Sequence, residues 1–213
     1  FRNLAMCQLL YTYGGMVVPN SLVCLKSLTP LYSEFIESKK PFVCEMINKT
    51  SNLEIEKPTH RFIPSLSFMG SNKNDPTLLE LIEYIKLLYK DGHISKENQF
   101  KGMINQKCNE FIHFDKMRLI NGNKIGVKTT RGKPILLEEI CEEAYVDLHS
   151  DALGIYIPSN EILSRTKYQW IAYANIEHIL HSNMIIAKYL KASITDTTNE
   201  YYTNKKERSV VTI

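Results

Sequence analysis

The sequence predicts a mixed α/β fold, and three observations support this prediction. Short apolar segments such as Met16–Val18 have the length of buried strands, and they alternate with longer segments of helical periodicity. The clearest helical segment follows Asp75-Pro76, where apolar residues recur at intervals of three and four and form one face. With 213 residues, of which 44% are hydrophobic, the chain is long enough to bury a substantial core.

Residues 1–115 are expected to form an α/β core. Thr29-Pro30 and Asp75-Pro76 are N-cap and first-turn pairs that begin helices, and Gly14 is a natural helix stop. The polar segment Asn48–His60 contains a proline, which predicts a loop. The predicted elements are helices over Leu4–Tyr13, Thr29–Glu37, Asp75–Asp91 and Ser95–Ile112, strands over Met16–Val18 and Pro41–Glu45, and an apolar segment over Arg61–Met69.

Residues 116–194 are expected to combine a hairpin with a helical C-terminal part, followed by a polar tail, 195–213. Asn121-Gly122 between apolar flanks is a hairpin signal, and Arg131-Gly132 marks a second turn. The tail is too polar to order in isolation. The elements predicted beyond the turns are helices over Leu136–Asp147, Ser159–Arg165 and Glu177–Lys191 and a strand over Gly154–Pro158.

Charge and cysteine content exclude several classes of protein. The net charge of +3, without interleaved arginines and aromatic residues, argues against nucleic-acid binding. The sequence has no apolar run long enough for a membrane span. Five cysteines without a CxxC pair indicate a reducing compartment, the cytoplasm or a virion. Because the chain begins at Phe1, we expect it to be truncated at its N-terminus.

The segment LLYTYGGMVVPNSLVCLKSLTP, residues 9–30, ends a helix, turns at Tyr13-Gly14-Gly15 and continues into an apolar strand. It resembles a family of DxD-type glycosyltransferases that includes yeast-type mannosyltransferases and capsular-polysaccharide synthesis proteins. The family's pattern is roughly S-D-x-x-R-x-x-x-L-Y-x-Y-G-G-x-Y-x-D-x-D, and RFIPSLSFMG with the helix after it resembles the family's downstream strand and helix. The resemblance covers residues 1–90. The matching residues are Leu10, Tyr11, Tyr13, Gly14 and Gly15, and the hydrophobic frame continues through Val18, Leu22, Cys24, Lys26, Leu28 and Pro30.

The resemblance implies a GT-A-like, Rossmann-related fold for nucleotide-sugar transfer. In that family an Asp and an Arg upstream of the Gly-Gly pair help hold the donor, and two aspartates after it hold Mn²⁺ or Mg²⁺ against the diphosphate. Asn3 and Met6 stand at the two upstream positions, and Pro19 and Ser21 replace the two aspartates. Neither proline nor serine supplies the lost negative charge. We therefore expect no catalytic residue, metal or cofactor at the donor-site positions, which are Asn3, Met6, Gly14, Gly15, Pro19 and Ser21.

Two other local patterns could hold a metal. In DLHSD, Asp147, His149 and Asp151 share one face if the backbone is extended, although a polar loop before the next strand is the simpler interpretation. In EHILH, His178 and His181 lie three apart on a predicted helix, but two ligands do not make a site.

Other motifs carry less information. No glycine-rich phosphate loop occurs in the sequence. Trp170 is expected to anchor the core or an interface. Asn48-Lys49-Thr50 is interpreted as a chance glycosylation sequon, because the cysteines indicate a reducing compartment.

Two hypotheses of function follow. In the first, the chain is a catalytically degenerate glycosyltransferase-like protein that binds protein partners in a larger assembly, and Tyr201-Tyr202 in the tail orders on a partner. A composition typical of an AT-rich genome motivates the particle of a large DNA virus as that assembly. In the second, the chain is an active glycosyltransferase without the usual DxD metal site, which uses Lys26, Arg61 and Lys73 around the diphosphate of a nucleotide sugar. Its cofactors would be Mn or Mg and the nucleotide sugar. Nucleic-acid binding through NKKER in the tail is a weaker third hypothesis.

Overall fold

A computed structural model describes residues 2–49, 60–91, 97–143 and 145–194. It divides into two compact units, the first comprising Phe1–Asn20 and Leu28–Gly122, the second Ser21–Ser27 and Asn123–Ile213. The structure contains both helices and sheets, which confirms the predicted mixed α/β class. Compactness does not by itself establish independent domains, so the predicted boundary between residues 115 and 116 stays a prediction.

The first unit contains a four-stranded mixed sheet. Its strands lie in the order β1 (Gly15–Val17), β4 (His60–Ser71), β3 (Phe42–Lys49) and β5 (Arg118–Ile120). The pairs β1/β4 and β4/β3 are antiparallel, and β3/β5 is parallel. The predicted helices and strands of this region are confirmed, with shifts of a few residues at their ends. The elements are α1 (Arg2–Tyr13), β1 (Gly15–Val17), α2 (Thr29–Ser38), β3 (Phe42–Lys49), β4 (His60–Ser71), α3 (Pro76–Lys90), α4 (Glu97–His113) and β5 (Arg118–Ile120).

Helices cover both faces of this sheet. Val43 of β3 is buried in a cluster with residues of α1, α3 and α4. Its neighbour Phe42 points to the opposite face, as adjacent strand residues do. There the Phe42 ring packs between Phe35 of α2, at 5.0 Å between ring centroids, and Phe68 of β4, at 6.2 Å. The first unit is therefore a three-layer α/β arrangement.

Gly70 on β4 leaves space for the Phe42 ring in this edge-to-face aromatic cluster. It lies opposite Phe42 in the strand register, and a Cβ at position 70 would lie 2.5 Å from Cε1 of the Phe42 ring. A side chain there would displace the ring from the sheet, which explains the glycine within a strand.

The predicted hairpin at Asn121-Gly122 is wrong. The chain forms β5 and then one turn of 3-10 helix, Gly122–Ile125. β5 pairs in parallel with β3 rather than with a following strand, and the Gly122 N–H donates to Oε2 of Glu45 at 2.9 Å. A partner distant in the sequence decides this geometry, and the local turn signal does not.

The second unit is built around a two-stranded antiparallel sheet of β2 and β6. Strand β2 is not among the elements that the sequence predicts, since it is defined by pairing with a strand more than 100 residues later in the chain. Buried residues such as Leu137, Ile155 and Ile179 form one hydrophobic cluster. The elements are β2 (Leu22–Cys24), α5 (Leu137–Cys141), β6 (Gly154–Tyr156), α6 (Ser159–Ser164), α7 (Gln169–Tyr173), α8 (Ile176–His181) and a helix α9 over residues 185–194.

Two predicted helices of this region are shorter than expected. The helix predicted over Leu136–Asp147 is only α5, because Glu142 has an extended backbone at φ −91° and ψ 174°. The helix predicted over Glu177–Lys191 is split into α8 and α9. The break is at Ser182, where ψ is 159° and the hydroxyl donates to the Ile179 carbonyl at 2.7 Å.

Several predictions fall on residues outside the described ranges. These are residues 50–59 of the predicted loop, the Ser95 cap and the whole tail from residue 195. Asn48, Lys49 and His60 belong to strands, so the predicted loop is shorter than expected. Among the described helices, none combines the length and the apolarity that crossing a bilayer requires.

Candidate functional site

The donor-site positions divide between the two units. Asn3, Met6, Gly14, Gly15 and Pro19 belong to the first unit, and Ser21 belongs to the second. Each group is therefore described with its own unit.

Gly14 makes the turn from α1 into the sheet. Its N–H donates to the Leu10 carbonyl at 2.7 Å, and its φ of +71° is in the left-handed region. A Cβ at this position would lie 3.0 Å from the backbone nitrogen of Lys73 and 3.4 Å from the carbonyl oxygen of Ser71. Only glycine combines this conformation with such a close approach of the backbone.

The loop after β4 packs against the end of α1. The Asn74 N–H donates to the Tyr11 carbonyl at 2.8 Å. Asp75 then caps α3 by accepting from the Leu78 N–H at 2.9 Å. Burial raises the pKa of the Asp75 carboxyl, while the N–H groups of Leu78 and Thr77 oppose that shift. The Gly14 turn and the cap of α3 are thus parts of one packed corner.

Gly15 begins β1 and pairs with Ser71 in the register of the sheet. Its φ is +105°, and no other group lies within 4 Å of where its Cβ would be. Conformation alone therefore demands glycine at this position.

The two upstream positions lie on α1. Met6 is partly buried and packs against the hydrophobic cluster shared with α3 and α4. The position where the resemblance expects an arginine therefore contributes apolar packing. Asn3 lies three residues earlier and is half-buried.

The positions of the two metal-binding aspartates carry no carboxylate. Pro19 is buried, and it has neither a side-chain oxygen nor an N–H. In the second unit, the Ser21 hydroxyl donates to the Ser159 hydroxyl at 2.9 Å, and the Ser21 carbonyl accepts from the Ile157 N–H at 2.8 Å. Ser21 thus anchors the start of β2 to the end of β6.

The second hypothesis assigns Lys26, Arg61 and Lys73 to the diphosphate, and the structure describes the surroundings of two of them. The Lys26 ammonium donates to the Ser150 carbonyl at 2.5 Å within the second unit. Lys73 is exposed on the first unit beside the Gly14 turn. The side chain of Arg61 lies outside what the structure describes.

The DLHSD segment does not gather its three side chains into a site. Asp147 accepts from the Thr130 hydroxyl at 2.7 Å, and Asp151 forms an ion pair with Lys124 at 3.5 Å. Nδ1 of His149 accepts from the Asp151 N–H at 3.1 Å. Each of the three side chains thus contacts a different partner, as expected for a polar loop.

The two histidines of EHILH lie on α8. His181 Nδ1 is 2.7 Å from the Glu177 carbonyl, and His178 packs edge-on against the Trp170 ring at 6.2 Å. Within the described residues, no three His, Cys, Asp or Glu side chains are grouped as metal ligation would need.

The tryptophan expected to be an anchor lies on α7, an element the sequence did not predict. Trp170 is 43% exposed, and Tyr173 and Ile176 beside it in the chain are 83% and 54% exposed. The second unit therefore presents a partly exposed apolar face, while its core uses other residues.

None of the five cysteines is in a disulfide. Burial raises the pKa of Cys7 and of Cys108 to about 12 and also raises that of Cys44. Burial, with the nearby Glu138 charge, raises the pKa of Cys141 to about 11. Thiols that are protonated at neutral pH are poor nucleophiles.

Comparison of the chain with protein-family models, curated proteins and solved structures found no match.

Proposed function

We propose that this chain is a catalytically degenerate glycosyltransferase-like protein, with a GT-A-like first unit, that acts as a structural or interaction component of a larger assembly. One observation carries the proposal. The side chains at the expected donor-holding positions serve in packing, since Met6 lies against the core, Pro19 is buried and Ser21 bonds to Ser159.

The chemistry of the missing ligands supports the loss of catalysis. Mn²⁺ and Mg²⁺ at a diphosphate need carboxylate oxygens, and the metal stabilises the charge of the leaving group. Pro19 and Ser21 bring no charge to those positions. Gly14 and Gly15 both adopt positive φ values, as a glycine pair readily does, and Gly14 lies against the backbone of the loop after β4. On this proposal, the glycine turn belongs to the family's frame, and the residues that differ from the family are those that would hold the metal.

An interaction role is supported by the face that α7 and α8 present. Trp170 and Tyr173 are partly or largely exposed, and Trp and Tyr are the residues most enriched at the centres of protein interfaces. The exposed Ile176 extends the same apolar character.

A second candidate is a glycosyltransferase that neutralises the diphosphate with cations. The exposed Lys73 beside the Gly14 turn favours it. The contact of the Lys26 ammonium with Ser150 weighs against a role for that lysine.

Nucleotide release tests the proposal. Purified protein is incubated with UDP-sugars and with GDP-mannose, with and without Mn²⁺, and free UDP or GDP is measured. We expect no release above a heat-inactivated sample. The second candidate would be supported instead if the protein released nucleotide, the Lys73→Ala substitution lowered that release, and the Lys39→Ala substitution left it unchanged.

A further inference from the structure

The second unit contains a tight hairpin within residues 127–135. The Ile135 N–H donates to the Val127 carbonyl at 3.0 Å, and the Thr129 N–H donates to the Lys133 carbonyl at 2.8 Å. Thr129 is only 9% exposed, and its hydroxyl accepts from the Lys133 N–H at 3.1 Å. The tip, Thr130–Lys133, is therefore held from within the hairpin.

A second contact fixes the tip to a neighbouring loop. Thr130 donates through its N–H to the Asp147 carbonyl at 3.2 Å and through its hydroxyl to the Asp147 carboxylate at 2.7 Å. Because the tip is already ordered, binding a ligand there costs the hairpin little conformational entropy.

Charge is concentrated on this hairpin. Residues 123–137 contain Lys124, Lys128, Arg131 and Lys133 and no acidic residue. The neighbouring loop offsets part of this charge, since Asp151 pairs with Lys124 and Asp147 accepts from Thr130. The local excess remains positive.

In the part of the chain that the structure describes, the two cations at the tip have no counter-charge of their own, whereas two other cations of the same unit are paired. Arg165 is paired with Glu138 and Glu161, and Lys124 with Asp151. Arg131 and Lys133 are exposed, and in the described ranges neither forms an ion pair. They flank Gly132, whose φ is +73° and whose Cβ position is open to solvent.

The geometry points to the hairpin tip, Thr130–Lys133, as a docking site for a carboxylate-rich segment of a protein partner. The Arg131 fork suits bidentate recognition of a carboxylate, and Lys133 adds a point charge two residues away. A nucleic acid fits less well, because the tip has no aromatic side chain to stack a base and too few cations for a long row of phosphates. This site goes beyond the proposed function and does not depend on the state of the donor site.

Fluorescence anisotropy with a labelled deca-glutamate peptide at low ionic strength tests the proposal. The variant Arg131→Glu/Lys133→Glu is compared with Lys167→Glu/Lys188→Glu, which makes the same change in net charge at two exposed lysines elsewhere in this unit. We expect affinity to fall about tenfold or more in the first variant and less than about twofold in the second. The neutral variant Arg131→Ala/Lys133→Ala should lose affinity as well.

Three results would overturn the proposal. The first is that the unaltered protein does not bind the peptide. The second is that both charge-reversed variants lose affinity equally, which would show that only net charge matters. The third is that the protein binds a labelled oligothymidine more tightly than the peptide and loses this binding in the variant Arg131→Glu/Lys133→Glu, which would assign the tip to nucleic acid. Circular dichroism of each variant confirms that the exposed substitutions leave the fold intact.

Discussion

The hydroxyl of Ser21 donates a hydrogen bond to the hydroxyl of Ser159 over 2.9 Å, joining positions 138 residues apart in the sequence. The resemblance places a metal-binding carboxylate at position 21, and the serine there instead fastens one segment of the second unit to another. If the proposed function is correct, a position that holds a metal ligand in the family serves here to join two segments of the second unit.

The hydrogen bond itself is measurable. Ser21→Ala and Ser159→Ala should each lower the free energy of unfolding slightly, and the double variant should cost less than the sum by about 0.5–1 kcal/mol, because the pair shares one bond at an exposed site. Urea unfolding of the four proteins gives the coupling energy. Strictly additive effects would show that the two hydroxyls do not interact in solution.

Gly14→Ala should destabilise the first unit by at least about 1–2 kcal/mol, because it adds a Cβ in the left-handed region. That Cβ would also lie 3.0 Å from the backbone nitrogen of Lys73. Gly102→Ala is the control, since Gly102 lies in α4 with open space around it, and alanine there should stabilise the helix by about 0.5–1 kcal/mol. Thermal unfolding compares both variants with the parent, and equal effects of the same sign would contradict this account of the turn.

Asp75 should act as a cap through its oxygen, not through its charge. Asp75→Ala removes the acceptor of the Leu78 N–H and should cost about 1 kcal/mol. Asp75→Asn keeps an acceptor and removes a carboxylate whose pKa burial raises, so it should cost much less. Urea unfolding at neutral pH measures both. If asparagine costs as much as alanine, the charge matters more than the bond.

Alkaline pH should weaken the first unit through its buried thiols. The pKa of Cys7 is raised by burial from 9.0 to about 12, so the folded state holds this proton more tightly than the unfolded state does. The resulting stability is fully present below pH 9.0 and is lost as pH rises toward 12. For one thiol the loss is at most about 1.4 kcal/mol per pH unit.

The free energy of unfolding between about pH 9 and pH 11 checks this expectation. Cys7→Ala should show a shallower fall than the parent, whatever its stability at pH 8. Identical slopes in the two proteins would mean that Cys7 does not contribute.

Local signals predicted the elements whose boundaries depend on local chemistry. Asp75-Pro76 marked the start of α3, Gly14 the end of α1 and Gly132 the second turn, because a cap, a left-handed glycine and a tight turn each act within a few residues. The three-to-four spacing of apolar residues likewise located the buried face of α3.

Long-range partners decided the elements that the sequence did not predict. Strand β2 exists because Leu22 pairs with Tyr156, and the expected hairpin is absent because Gly122 bonds to Glu45. The long C-terminal helix is interrupted where the Ile185 N–H donates to the Glu142 carbonyl at 2.8 Å. Periodicity along one segment carries no information about such contacts.

The candidate site was predictable only as a list of positions. The resemblance identified the six residues from Asn3 to Ser21, but the contact of Ser21 with Ser159 and that of Lys26 with Ser150 join residues more than 100 positions apart. Arg131-Gly132 was predicted to be a turn, whereas only the packed structure shows that, among the described residues, Arg131 and Lys133 form no ion pair.

Calorimetric titration of the protein with UDP-sugars and with GDP-mannose, in the presence and absence of Mn²⁺, measures whether it binds a nucleotide sugar. We expect no heat of binding with any donor from a folded sample, because Pro19 and Ser21 supply no carboxylate to hold a metal and Met6 packs against the core. Micromolar, Mn²⁺-dependent binding of any one donor would contradict this expectation and would show that other residues hold the diphosphate.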